Sequence, residues 1–159
     1  MSVIEVAGRA CKKYKLVAEI VAKQVISLMK QPDELEVAIS FVSEKEIRRL
    51  NREIREIDKV TDVLSFPATE IKAGEILDLT KDEMLYLMTD NHKFHLGDMA
   101  ICLKQTKRQA KEYGTTPLHE VKKLVIHSML HLMGYDHIKD DDYEIMNKKE
   151  IDLDKKITL

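Results

Sequence analysis

Apolar positions along the chain change period several times, and each change marks an element. Ser2 to Val6 alternates weakly and predicts a first strand. From Tyr14 to Met29, the residues Leu16, Val17, Ile20, Val21, Val25 and Leu28 recur with helical spacing, predicting an amphipathic helix that Pro32 stops. Leu35 to Val42 alternates at period two and reads as a strand. Ser43 followed by Glu46 is a capping box, so a helix starts there. Its buried stripe is Ile47, Leu50, Ile54 and Ile57, with Arg48, Arg52 and Arg55 in a column roughly opposite.

Val60 to Phe66 is strand-like by composition and is ended by Pro67. Ala68 to His95 is polar, acidic and weakly patterned, which predicts a long loop; short apolar patches at Ile76–Leu79 and Met84–Met88 leave room for a short helix. Leu96 to Leu103 predicts another strand, whose Gly97 allows a bulge or a close approach. A basic helix follows from about Lys104 to Tyr113 and is capped by Gly114. Thr116-Pro117 supplies a capping hydroxyl and a first-turn proline for the next helix. Asp140, Asp141 and Asp142 suit the positive end of a last one through Met146 to Leu153. With no repeats or linkers, the order predicts a single α+β domain over residues 1–159, a small mixed sheet of about four strands packed by about five helices.

Composition narrows the class. Apolar residues make up 44% and charged residues 34%, with few Gly or Pro, so the chain is globular and helix-rich rather than disordered. No apolar run approaches bilayer length and no charged-then-apolar leader opens the chain, so no membrane partner is expected. Cys11 and Cys102 are isolated, which fits a reducing, cytoplasmic setting. A net charge of −2 gives no global reason for nucleic acid, and DNA is not expected. The local balance differs: Phe66 to Asp98 holds seven acids against three bases. Leu103 to Lys123 holds six bases (Lys104, Lys107, Arg108, Lys111, Lys122, Lys123) against Glu112 and Glu120. Such a stretch fits a polyanion docking on one side, and it fits a solvated helix face equally well.

The candidate chemistry lies in Leu124 to His137, which holds three of the six histidines as His127-x3-His131-x2-Gly134-x2-His137. Positions four apart share a helix face, so His127 and His131 point the same way. Gly134 can end the helix in the left-handed conformation, and His137 can then swing back towards the other two. Three imidazoles so arranged suit Zn²⁺. The plain alternative is a set of buried histidines that each find a hydrogen bond, which an apolar setting makes costly. Structural zinc is usually closed by four ligands and favours cysteine, whereas catalytic zinc keeps three and leaves a place for water. Neither cysteine sits in a C-x-x-C pair, so a catalytic metal is favoured unless the fold brings Cys102 to the site.

The spacing is like the long zinc-protease motif, in which a glutamate general base follows the first histidine. Ser128 stands there instead, and a hydroxyl is no base near neutral pH, which argues against peptide hydrolysis. Arginine forks bind phosphate oxygens bidentately, so the Arg48, Arg52 and Arg55 column reads either as a solvated face paired with Glu53 and Glu56 or as a phosphate contact.

Three blocks of the chain resemble the YbeY-type metallo-endoribonucleases. They are Leu50-Asn51 with Arg55 and then Thr61 to Pro67; Leu96-Gly97-Asp98 leading into the helix with Ala110 and Glu112; and His127-x3-His131-Leu132-x-Gly134-Tyr135-Asp136-His137, trailed by Met146 and Glu150. The resemblance spans about residues 35 to 155. It implies an α+β fold with a central sheet, one zincin-like Zn²⁺ site per chain held by His127, His131 and His137, and cleavage of single-stranded RNA. It also implies a role in 3′-end maturation of small-subunit (16S) rRNA and in ribosome quality control, with the small subunit and its assembly factors as partners. Arg55 falls where the family keeps an arginine important for RNA processing. Two departures stand out: Ser128 replaces the family's usual glycine, and Ile54 a common aromatic. The acidic segment before His95 also looks enlarged.

Phosphodiester cleavage makes sense of the missing glutamate, because a metal activates water without a carboxylate base and polarises a phosphoryl oxygen. Arg55 would offset charge building on the transition state. Asp98, Asp136 and Ser128 are candidates for holding imidazole N–H groups or substrate, and Arg48, Arg52, Lys104 and Arg108 for touching RNA. Two other readings remain: a zinc hydrolase of a peptide, amide or ester bond, and a non-enzymatic ribosome-assembly factor whose zinc braces the fold.

Overall fold

The computed structural model describes residues 2–68, 93–137 and 139–159. Its elements run β1 (Val3–Gly8), α1 (Lys12–Leu28), β2 (Leu35–Phe41), α2 (Glu44–Arg55), β3 (Val63–Pro67), β4 (Phe94–Ile101), α3 (Leu103–Tyr113), α4 (Pro117–Leu132) and α5 (Asp140–Lys156). Strand order is β1-β2-β4-β3, with β1, β2 and β4 parallel and β3 antiparallel to β4. The α+β expectation of a small mixed sheet packed by helices therefore holds. The two apolar patches and the short helix considered between Ala68 and His95 lie outside the described residues, apart from the tail of that segment. There β4 begins at Phe94, two residues earlier than alternation suggested, because Phe94 and Leu96 face the core and the Phe94 N–H donates to Glu34 O at 2.7 Å.

Caps behave as the local chemistry dictates. Ser43 Oγ accepts from the Glu46 N–H, Thr116 Oγ1 accepts from the His119 N–H, and Gly114 closes α3 at φ 68°. Helix faces are less legible. The buried side of α1 is Tyr14, Ala18, Val21, Ala22, Val25 and Ile26, while Leu16, Ile20 and Leu28 are exposed. Two alanines sit on the buried face while larger apolar residues sit outside it, so residue size does not select the face. On α2, Ile47 is buried but Ile54 and Ile57 are exposed; Asn51 takes the inner place, its amide donating to Lys59 O at 3.0 Å.

The main core lies between one sheet face and α1, α4 and α5; a smaller one, Ile47, Leu64, Ala100 and Cys102, sits under α2. In β4 the inward residues are Phe94 and Leu96, then Met99 and Ile101, so parity flips between them. A bulge causes the flip: Glu36 pairs with His95 and Val37 with Gly97, leaving Leu96 as the extra residue. At Gly97 (φ 153°) an added Cβ would lie 2.5 Å from Phe66 O and 2.7 Å from Leu132 Cδ2. Its missing side chain is what lets β3 and the end of α4 close on the sheet.

Candidate metal centre

The end of α4 builds the site. Met133 follows the last helical residue, Gly134 turns at φ 99°, and the Gly134 and Tyr135 N–H groups donate back to His131 O and Leu130 O, both at 3.0 Å. These two bonds form a Schellman turn, which reverses the chain within a few residues. The reversal returns His137 to the helix: its ring centroid lies 4.9 Å from that of His131 and 5.7 Å from that of His127. His127 Nε2 and His131 Nε2 are 3.0 Å apart, and one nitrogen from each of the three rings lies within 4.8 Å of the others.

Each helical imidazole is held from behind. His131 Nδ1 is 3.0 Å from Tyr135 O, so that nitrogen carries the proton and donates it, leaving the Nε2 lone pair facing inward. His127 Nδ1 is 2.5 Å from Glu150 Oε1, reached from α5. Burial, and then the neighbouring His127 and His137 rings, push the His131 imidazole down from 6.5 to about 4, so it is neutral and able to ligate near pH 7. The donor set fits zinc. Tetrahedral ligation at roughly 2.0–2.1 Å per nitrogen places ligand atoms a little over ~3 Å apart, and both helical tautomers present the correct lone pair. Among the described residues these three histidines form the candidate metal cluster, without a fourth protein ligand. Cys102 is buried in the smaller core against Ile47 and Leu64 and does not join it.

The other candidate residues fall elsewhere, for stated reasons. Ser128, one residue past His127, turns away from the cluster and is fully buried, its Oγ 2.7 Å from Ser65 Oγ on β3, so it cannot touch substrate. Asp98 projects from the exposed side of β4 and pairs with His95 at 3.3 Å, not with a ligating ring. Asp136 accepts from the His137 backbone N–H at 2.7 Å, while its carboxylate is 3.6 Å from His137 Nδ1; it braces the turn rather than the ring. Arg48 makes a two-pronged pair with Asp58 at 2.8 and 3.2 Å, holding that carboxyl below its usual range, and Arg52 lies 3.7 Å from the same carboxylate. Lys104 and Arg108 both reach Glu44. Arg55, the last residue of α2, is exposed and makes no ion pair or hydrogen bond among the described residues. Glu150 is the functional residue that local spacing could not flag, being 23 positions from its partner; it stood in the sequence only as a trailing mark of the family resemblance.

Fold and site together define a class: small α+β proteins in which a helix and the turn after it present three histidines to a metal. The family model described as endoribonuclease YbeY matches residues 5–158, and the chain belongs to that family. The endoribonuclease YbeY of Clostridium acetobutylicum is 45% identical over 117 residues, 72% of this chain and 70% of the relative. That of Caldicellulosiruptor bescii is 35% identical over 137 residues, 84% and 82% of the two chains. Among solved structures, the solution structure of TM1509 from Thermotoga maritima aligns with a TM-score of 0.61 at 27% identity, covering 96% of this chain and 87% of that one.

Proposed function

We propose that the chain is a zinc-dependent endoribonuclease that cuts single-stranded RNA and matures the 3′ end of small-subunit rRNA. Family membership carries the endoribonuclease activity, the hydrolysis of RNA phosphodiester bonds. The observation that carries the metal is the facing pair of Nε2 atoms, each ring held at Nδ1 by Glu150 or by Tyr135 O. His127, His131 and His137 would hold zinc, which supplies Lewis-acid chemistry there: it brings water to a pKa of about 7 and polarises a phosphoryl oxygen.

The chain's own groups do the rest. Glu150 and the Tyr135 carbonyl keep the two helical rings in one tautomer and orientation, so no proton on Nε2 competes with the metal. Glu150 sits behind the ring, away from the facing nitrogens, so it orients His127 rather than serving as the general base a peptidase needs. Arg55 is the member of its column left without an acid, which supports assigning it to the scissile phosphate, where its fork offsets charge in the transition state. The 16S rRNA and the small ribosomal subunit, as substrate and setting, rest on the family resemblance. Two free cysteines support a cytoplasmic site. One core running from Ile4 to Ile157 supports a single domain.

Zinc-loaded protein, chelated protein and His131→Ala, each incubated with single-stranded and duplex RNA, test this. Only the loaded wild type should cut, and only the single strand. Arg55→Ala should retain zinc and lose activity by about a hundredfold or more. Cleavage that survives both chelation and His131→Ala would sink the metal reading.

A further inference from the structure

Several bases of the molecule are already paired with acids. Asp58 takes Arg48 and Arg52, Glu46 and Glu53 take Arg49, Glu44 takes Lys104 and Arg108, and Asp154 takes Lys122. Other bases, Arg55 among them, lack an acid, and two of these meet at one ring. Lys13 Nζ, from the start of α1, lies 5.2 Å from the ring centroid of Tyr14, and Lys107 Nζ, from the middle of α3, lies 5.4 Å from the same centroid. Tyr14 is 6% exposed, so its ring is fixed in the core and gathers two ammonium groups from separate helices. Neither ammonium makes an ion pair among the described residues. Lys111, one turn beyond Lys107, and Lys12, beside Lys13, are also exposed and lack an acid. Glu112, the acid on this helix, is one turn beyond Arg108 and not in the Lys107–Lys111 row.

We propose that Lys13 and Lys107, flanked by Lys12 and Lys111, form a second phosphate-binding surface that grips the backbone of single-stranded RNA away from the three-histidine centre. The inference rests on the endoribonuclease reading above. Both ammonium groups are exposed and lack an acid, so a phosphodiester anion brought to this surface is attracted by both. Lysine is a point charge with no fork for a base edge, and the buried Tyr14 face cannot stack a base, so the surface positions RNA without reading its sequence. Its location is separate from the metal centre. α1 and α3 leave the C-terminal ends of β1 and β4, whereas the Leu132 end of α4 meets Gly97, four residues or about 13 Å back along β4. A strand lying across both would be held on one side and cut on the other.

Anisotropy titrations of zinc-loaded protein with a labelled, unstructured single-stranded RNA, repeated over a salt series before cleavage becomes visible, decide the matter. The double variant Lys13→Gln, Lys107→Gln should bind more weakly and flatten the plot of log K against log salt by about 1.4, two phosphates' worth at ~0.7 each. The double variant Lys104→Gln, Arg108→Gln removes the same charge from groups that share the Glu44 carboxylate, and it should flatten the plot less. Wild-type zinc content and melting temperature in both variants certify the fold. A slope unmoved by the first variant, or moved equally by both, overturns the surface while wild-type cleavage keeps the enzyme. Wild-type protein that neither binds nor cuts RNA overturns both.

Discussion

A histidine becomes a ligand when its second nitrogen is occupied, and in this chain the two helical imidazoles solve that problem differently. His131 uses the carbonyl of Tyr135, which the turn after its own helix delivers four residues on. His127 uses Glu150, a charge from another helix at 2.5 Å. The second device is the one a point substitution removes cleanly. Glu150→Ala should lower zinc affinity about 10–100-fold, measured by competition with a chromophoric chelator, and Glu150→Gln, which keeps an acceptor oxygen, should recover part of the loss. An unchanged zinc constant in Glu150→Ala would remove Glu150 from the site. At this scale the His-x3-His-x2-Gly-x2-His spacing was readable because all its geometry is local: one helical turn and one glycine reversal. Glu150 was not assigned a role from spacing, because nothing within a few residues of either partner records that α5 folds back onto α4.

Between elements, glycine and serine decide how closely α4 can sit against the sheet. Gly97 admits the end of α4 to the sheet, and Ser128 ties its middle to β3 through the 2.7 Å contact with Ser65 Oγ. Ser65→Ala leaves the fully buried Ser128 hydroxyl without a partner and should cost about 1–3 kcal/mol by urea unfolding. Replacing both serines by alanine should cost less than the sum of the single changes; strict additivity would show that the pair is uncoupled. Capping residues announced the starts of α2 and α4 correctly, since a cap acts within a single turn. Which side of α1 is buried did not follow from hydrophobicity, because Ala18 and Ala22 lie in the core while the larger Leu16 and Ile20 lie outside it. The parity of β4 was equally hidden, since alternation presumes an unbroken register and the bulge at Leu96 breaks it.

For the molecule as a whole, the centre holds one imidazole, His131, that burial and its neighbours keep neutral. In metal-free protein His131 titrates near 4 rather than 6.5, so between those values the unfolded chain binds the proton that the folded chain refuses. Stability of chelated protein should therefore rise as pH is raised from about 4 to 6.5 and gain nothing more from this group above that. Urea midpoints across the window check the sign, and a midpoint that falls as pH rises would contradict it. Zinc at a hundred times its dissociation constant should add about 2.7 kcal/mol at pH 7, seen as a higher melting temperature that chelator reverses. No helix among the described residues is long and apolar enough to cross a membrane.

Whatever acts within a turn or two of chain was determined by the sequence alone: helix starts and caps, the glycine reversal, the three imidazoles, and the absence of a glutamate beside His127. Tertiary structure decided the rest. It chose which face of each helix is covered, placed Cys102 under α2 beyond reach of the metal, paired Arg48, Arg52, Lys104 and Arg108 with acids while leaving Arg55, Lys13 and Lys107 without them, and brought Glu150 to His127. Those outcomes depend on which residues distant in the chain meet, and a charge or a lone pair takes its role from the group that ends up facing it.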